Sequence, residues 1–323
     1  MQKEDLRIVF MGTPEFAVET LKALVENNYN VVAVVTQPDK PVGRHGSVLQ
    51  PSAVKLYAQE HQLPVLQPEK MKDPLFVETL RSYRANLQVV VAFRMLPEVV
   101  WGMPEYGTFN VHAALLPQYR GAAPINWAVI NGEKQTGVTT FFLDHDIDTG
   151  RIIAQLPFDV PDDADVEYVY DGLMKLGAKI CLQTLDMIIS ANGHPDSIAQ
   201  ETSEMELKSA PKIFKDTCRI DWQLTVKRVY DFVRGLSPYP GAWTILQSPD
   251  GKEIVLKIFK TTKTALPAEG LHPGTLVVAR KELYVSTSDM LLQIDELQLA
   301  GKKRMDATAF LNGMQSLENY SVV

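Results

Sequence analysis

Between Phe109 and Glu133 the sequence reads F-N-V-H-A-A-L-L-P-Q-Y-R-G-A-A-P-I-N-W-A-V-I-N-G-E. Asn110 and His112 stand two apart in a run that begins like a strand, and residues two apart on a strand project from one face. An amide and an imidazole side by side, just before a loop broken at Pro117, can bind an oxyanion and move a proton. In open α/β sheets, ligands bind where strands end. Asn and His at a strand end also cap backbone groups, and spacing alone does not separate the two readings. A second run, D-H-D-I-D-T-G, adds the carboxylates of Asp144, Asp146 and Asp148. If the strand before this run neighbours the Asn110–His112 strand, one carboxylate reaches His112. There it fixes the ring and favours its protonated form. Solvated loop acids and a metal site compete with that reading, although the run lacks the full ligand set of a calcium loop. No serine or cysteine nucleophile accompanies the Asn, His and Asp. The set points to direct transfer, such as acyl transfer to an amine, without a covalent enzyme intermediate.

Holding these groups requires a sheet. Leu6–Met11 is a short apolar run that reads as a buried strand. In Gly12-Thr13-Pro14-Glu15, Thr13 is placed to cap a helix with Pro14 at its first position. Phe16, Ala17, Leu21, Leu24 and Val25 recur at helical spacing, and Val31–Thr36 reads as a second strand. This βαβ unit implies a parallel sheet. It lacks G-x-G-x-x-G, which argues against a dinucleotide site. Helix is expected over Pro51–Gln62 and strands over Leu87–Phe93, Val138–Leu143 and Arg151–Phe158. Asp163–Ser190 reads as a long helix with Val166, Val169, Leu173, Leu176, Ile180 and Met187 on one face and Thr184 as a polar break. From 191 to 211 the pattern decays into a linker. Beyond it come a helix over Gln223–Leu236 and five short strands: Ala242–Leu246, Ile254–Phe259, Gly274–Ala279, Leu283–Ser286 and Leu291–Leu297. The fold class expected is therefore α/β. A Rossmann-like, parallel-rich sheet domain (1–190) precedes a linker (191–211) and a C-terminal β-barrel domain of the oligonucleotide-binding, OB-like kind (212–323).

Residues 36–51 form a long Pro/Gly-broken connection carrying Lys40, Arg44 and His45, a cationic group in an otherwise acidic half. Residues 1–211 hold 17 Lys+Arg against 27 Asp+Glu, and residues 212–323 hold 15 against 12, within a net charge of −7. The mildly basic second half hints at a polyanionic partner. No apolar run reaches membrane-spanning length, and the start lacks a signal core, so the expectation is a cytoplasmic protein without a membrane partner. Cys181 and Cys218 imply no disulfide framework, and the six histidines show no metal-ligand spacing. No metal is expected.

The segments F-M-G-T-P-E-F (10–16), V-T-Q-P-D-K-P-V-G-R (35–44), N-V-H-A-A-L-L-P-Q-Y-R-G-A-A-P-I (110–125), G-V-T-T-F-F-L-D-H-D-I-D-T-G (137–150), R-I-D-W (219–222) and L-Q-L-A-G-K-K-R-M (297–305) stand in one order along nearly the whole chain. In them the sequence resembles the methionyl-tRNA formyltransferases, a family of folate-dependent formyltransferases. The resemblance implies transfer of formyl from 10-formyltetrahydrofolate to the α-amine of methionyl initiator tRNA, by a monomer, in translation initiation. It assigns Asn110, His112 and Asp148 to the catalytic triad. It assigns folate contacts to Ala114, Leu115, Leu116 and Pro117, and places Phe93, Arg94, Met95 and Leu96 around the pterin. It assigns tRNA contacts to Lys40, Arg44, Lys302, Lys303 and Arg304. Two departures stand out: Arg94 where the family often has Gly, and Ala114 where it has Ser. Arg94 is left between a contact to the folate glutamate and an outward position. Arg120 is left between an ion pair and a phosphate contact. Competing readings are a transformylase of a small amine or amino-sugar and an inactive tRNA-binding protein.

Overall fold

The computed structural model describes residues 1–42, 48–201, 206–314 and 316–323. The chain forms two compact units. The first holds Met1–Gly121, Gln135–Asp159 and Tyr170–Ser209; the second holds Ala122–Lys134, Val160–Val169 and Ala210–Val323. The units are interleaved in sequence: 122–134 and 160–169 cluster with the C-terminal residues rather than with their chain neighbours.

The chain opens with β1 (Arg7–Gly12), α1 (Glu15–Glu26) and β2 (Asn30–Val35), the expected βαβ unit. The helix starts one residue later than expected. Pro14 takes the N-cap position in extended conformation, and the Thr13 hydroxyl instead accepts the Gln37 N–H at 3.4 Å. The connection over 36–51 is not wholly irregular: β3 (Lys40–Val42) pairs antiparallel with β4 (Val48–Gln50). Its base is tied down where Lys55 of α2 (Ala53–Glu60) donates to Asp39 at 2.7 Å and Gln67 donates to the same carboxylate at 2.8 Å. Next come β5 (Val65–Leu66), α3 (Pro74–Ser82), β6 (Leu87–Val91), α4 (Glu98–Trp101) and β7 (Thr108–His112). The expected elements do not include α3, although Asp73 caps it and Pro74 occupies its first turn, the usual start signal. Then follow β8 (Arg120–Gly121), α5 (Pro124–Ile130), β9 (Gln135–Phe142), β10 (Ile152–Asp159) and α6 (Val166–Ser190).

Seven strands of the first unit form one sheet in the order β10-β9-β7-β6-β1-β2-β5. The pairs from β7 through β5 are parallel, and β9 and β10 add antiparallel to that edge. Strands covered on both faces read as continuous apolar runs, and Ile8, Val9, Phe10 and Met11 are fully buried. The polar break in α6 has a partner: Thr184 and Thr140 of β9 share a hydrogen bond of 2.7 Å between buried hydroxyls. Met187, expected on the apolar face, is 37% exposed.

After β11 (Ser209–Ala210), the second unit continues with α7 (Val226–Gly235), β12 (Ala242–Gln247), β13 (Glu253–Pro267), β14 (Leu276–Ala279), β15 (Glu282–Ser286), β16 (Met290–Leu299), β17 (Met305–Asp306), α8 (Ala307–Gly313) and β18 (Ser321–Val322). The antiparallel sheet runs β14-β15-β16-β13-β12-β18, with β17 on β16. A bridge between Thr275 and Ser321 joins its two edges and curls it into a partial barrel. β13 is one bent strand of 15 residues. Its register shifts after Ile258, Lys260 and Lys263 let it turn the corner. Its polar second half, K-T-T-K-T, hides that length from a reading based on apolar runs. Ile130 of α5 packs into the same core as Val229, Val233, Leu256, Ile258 and Leu297. Tyr230 donates to the Asp162 carbonyl at 3.0 Å and Arg234 to the Ala164 carbonyl at 2.8 Å, which ties 160–169 to α7.

Candidate active site

β7 lies between β6 and β9, as the reach of a carboxylate to His112 requires. It carries Asn110 half-buried and ends at His112, 6% exposed. The His112 Nε2 lies 2.9 Å from the Tyr119 carbonyl. A carbonyl only accepts, so Nε2 carries the proton there and the Tyr119 backbone sets the tautomer. Nδ1 faces Asp148 Oδ2 at 3.9 Å, an ion-pair distance beyond hydrogen-bond reach. Nδ1 therefore retains bonding capacity on the side where Asp148 stands. Asn110 Oδ1 is buried and has no hydrogen-bond partner among the described residues.

The acidic run is folded on itself. Asp144 Oδ1 accepts the Asp146 N–H at 3.2 Å and the Thr149 hydroxyl at 2.8 Å, so Asp144 shapes the loop. Asp148 sits at φ +56, and its Oδ2 accepts the Gly121 N–H at 2.9 Å. That turn singles out Asp148 from three acids of identical type. Only glycine serves at 150, where a Cβ would lie 1.7 Å from the Phe142 carbonyl.

The A-L-L-P segment is pinned by the neighbouring strands. The Thr139 hydroxyl donates to the Ala114 carbonyl at 2.6 Å and accepts the Leu116 N–H at 3.1 Å. Gln155 of β10 donates to the Leu116 carbonyl at 2.8 Å. Ala114 and Leu116 are buried, Leu115 and Pro117 half-buried. The segment is fixed by Thr139 and Gln155, two residues with no distinctive signal in the sequence.

A cavity of about 600 Å³ is lined by Arg94, Met95, Leu96, Trp101 and His145, with Lys70 and Lys72 on its wall. Phe93 is half-buried beside it, Leu96 is buried, and Met95 is 71% exposed. Arg94 does not point outward. It donates to the carbonyls of Glu69, at 2.8 Å, and Pro68, and its Nε is buried without a partner among the described residues. Burial lowers its pKa. Among the described residues Arg120 forms no ion pair; its half-buried guanidinium is bonded to the Gln200 side chain. His145 of the acidic loop borders the cavity while Asp148, three residues on, reaches His112. One loop thus joins the cavity to the imidazole.

The basic candidates lie apart from this site in sequence. Lys40 is exposed on β3, and Arg44 falls outside the described residues. Lys302 and Lys303 are exposed in the turn after β16. Arg304 pairs with Glu296, Nε to Oε2 at 2.7 Å, and its guanidinium lies 4.4 Å from the Phe259 ring centroid. Among the described residues no group of three His, Cys, Asp or Glu could hold a metal ion, and no helix is long and apolar enough to cross a membrane.

A family model described as formyl transferase matches residues 6–185, and one described as formyl transferase, C-terminal domain, matches residues 212–315. The chain belongs to the formyl transferase family. Curated relatives agree over the full length. A protein of Parabacteroides distasonis named methionyl-tRNA formyltransferase is 61% identical over 327 residues, covering all of both chains. One of the same name from Bacteroides thetaiotaomicron is 56% identical over 325 residues, again covering all of both. Among solved structures, HypX from Aquifex aeolicus in complex with tetrahydrofolic acid superposes with a TM-score of 0.61 at 20% identity. That match covers 95% of this formyl transferase and 47% of the longer HypX chain, and it carries the fold alone.

Proposed function

We infer that this chain transfers the formyl group of 10-formyltetrahydrofolate to the α-amino group of methionyl initiator tRNA. Full-length identity of 61% to a relative named for that reaction carries the reading of the acceptor. The joining of cavity and imidazole by one loop carries the reading of the site.

The residues fit a folate donor. A cleft of about 600 Å³ suits a flat bicyclic ring with an aromatic tail. Its apolar members Met95, Leu96 and Trp101 cover ring faces, and Lys70, Lys72 and Arg94 bring positive charge for the glutamate carboxylates. Phe93 and the Ala114–Pro117 segment extend the donor site from the two adjacent strands β6 and β7.

The acceptor amine needs little activation. An aminoacyl-ester amine is a weaker base than an ordinary N-terminus of pKa about 7.7–8.0, so much of it is neutral near pH 7. Its nitrogen attacks the formyl carbon, the carbonyl oxygen becomes an oxyanion, and the bond from carbon to the folate nitrogen breaks. The Asn110 amide donates to the oxyanion. His112 keeps its Nε2 proton on the Tyr119 carbonyl, and in its doubly protonated form it also donates through Nδ1. Asp148 stabilises the charged imidazole and passes the proton lost by the amine toward the folate nitrogen. Each donor aimed at such an oxyanion is worth about 10²–10³ in rate.

Lys40, Arg44, Lys302, Lys303 and Arg304 serve tRNA phosphates, giving salt-dependent affinity without reading sequence. The reaction proceeds in the cytoplasm, with the enzyme acting as a monomer and requiring no metal. Purified chain supplied with 10-formyltetrahydrofolate tests the reading against three acceptors: methionyl initiator tRNA, free methionine and amino-sugar nucleotides. Formylation of the tRNA alone is expected. Preferred formylation of an amino-sugar would replace the acceptor, and salt-sensitive tRNA binding without formylation would leave only a binding protein.

A further inference from the structure

We propose that Gln200 is a positioning residue for formyl transfer: gripped by Arg120, it sets the backbone of the turn that presents Asp148 to His112. The proposal rests on the reading of Asp148 as a member of the catalytic set. Gln200 lies in the stretch that the sequence presents as a linker, yet this part is laced to the acidic loop. Ile198 and Ile152 exchange backbone hydrogen bonds at 2.9 and 2.8 Å, and Arg151 Nε donates to the Ser197 hydroxyl at 3.0 Å. The half-buried Gln200 amide then donates from Nε2 to two carbonyls of the turn, Asp148 at 2.9 Å and Gly150 at 2.8 Å.

The direction of that amide is fixed by chemistry. A guanidinium only donates. Arg120 places Nε at 3.1 Å and Nη2 at 2.6 Å from Gln200 Oε1, so the oxygen faces Arg120 and the NH2 group faces the carbonyls. The residue after Arg120 completes the clamp, because the Gly121 N–H donates to the Asp148 carboxylate at 2.9 Å. Neighbouring residues therefore hold Asp148 twice, once at its carboxylate and once, through Gln200, at its backbone. The Asp148 backbone, at φ +56, is in the left-handed region, uncommon for residues other than glycine though more accessible to Asp than to most, and these contacts select it. With the turn relaxed, Oδ2 no longer approaches His112 Nδ1 to 3.9 Å.

Gln200→Glu keeps size and shape but turns a second oxygen toward the Asp148 and Gly150 carbonyls in place of the donor. The expected result is a fall in kcat of about 10- to 100-fold, the usual consequence of misplacing a reacting group by about 1 Å. KM for both substrates should change much less, because the substitution touches neither. The decisive readout is a double-mutant cycle with Asp148→Asn. If Gln200 acts through Asp148, adding Gln200→Glu to Asp148→Asn costs little further kcat. Gln200→Ala, in the same cycle, serves if the Glu variant does not fold, as judged by circular dichroism and thermal melting. A kcat close to wild type in folded Gln200→Glu or Gln200→Ala overturns the proposal. So does a loss repeated in full on the Asp148→Asn background. Asp148→Asn with wild-type kcat would instead remove the reading of Asp148 itself, and that result comes from a protein in which Gln200 is intact.

Discussion

At the scale of single residues, Asn110 carries a cost that folding alone does not explain. Its Oδ1 is buried without a partner among the described residues, and an unsatisfied buried polar atom costs about 1–3 kcal/mol. In the proposed reaction this oxygen, which only accepts, takes an N–H of the attacking amine while the Asn110 Nδ2 donates to the oxyanion, a trade of stability for function. Asn110→Ala is therefore expected to lower kcat by about 10²–10³-fold while leaving the thermal midpoint at or above that of the wild type. Melting and steady-state kinetics on one preparation check it, and a large drop in midpoint with kcat intact would count against it. Asn110 and His112 were legible in the sequence because strand periodicity puts them on one face. Three acids of one type in D-H-D-I-D-T-G are not distinguishable by composition. The choice of Asp148 is made by a backbone turn and by the Gly121 N–H. The Tyr119 carbonyl that holds His112 was not legible at all, because every residue carries a carbonyl.

At the scale of elements, small polar groups decide how helices and loops seat on the sheet. The buried Thr140–Thr184 pair joins β9 to α6 at 2.7 Å. Thr184→Val strands the Thr140 hydroxyl and should cost about 1–3 kcal/mol, whereas Thr140→Val with Thr184→Val should recover most of that loss. Urea unfolding of the two variants measures it. The β3–β4 hairpin has a charge at its base. The Lys55 hydrogen bond, then that of Gln67, holds the Asp39 carboxyl below its ordinary pKa. A carboxyl lowered in the folded state adds stability that is complete above its unfolded pKa, about 3.9, and is lost as pH falls through the folded value. The stability difference between wild type and Asp39→Asn should thus be constant near neutrality and shrink below about pH 4, as thermal melts across pH would show. Strands with continuous apolar runs were legible, as were helices with apolar stripes. The bent second half of β13 was not, since a strand that turns through bulges with Lys and Thr outward has no apolar signature. Nor was the hairpin, whose pairing depends on a register that no periodicity marks.

At the scale of the whole molecule, the chain has a mostly parallel sheet unit and an antiparallel partial barrel unit, and two stretches that precede the end of the first unit, 122–134 and 160–169, cluster with the second. The βαβ order and the run of short strands made both architectures legible. The interleaving was not legible, because the side chains that produce it, such as Ile130 and Asp162 with its partners on α7 and β13, look locally like any loop or helix residues. The exposed Lys302 and Lys303 belong to the barrel unit, away from Asn110, His112 and Asp148 in sequence. Replacing both with Ala should weaken binding of methionyl initiator tRNA and reduce the slope of log affinity against log salt by about 0.9 for each phosphate no longer neutralised. Titrations at several salt concentrations test that, and an unchanged slope would place the tRNA elsewhere. The most direct test of the account is the single-turnover rate of formyl transfer from 10-formyltetrahydrofolate to methionyl initiator tRNA, for wild type and for His112→Ala. Transfer by the wild type is expected, with a rate about 10²–10³-fold lower in the variant and tRNA affinity retained. Equal rates in the two proteins, or no transfer by folded wild type, would contradict it.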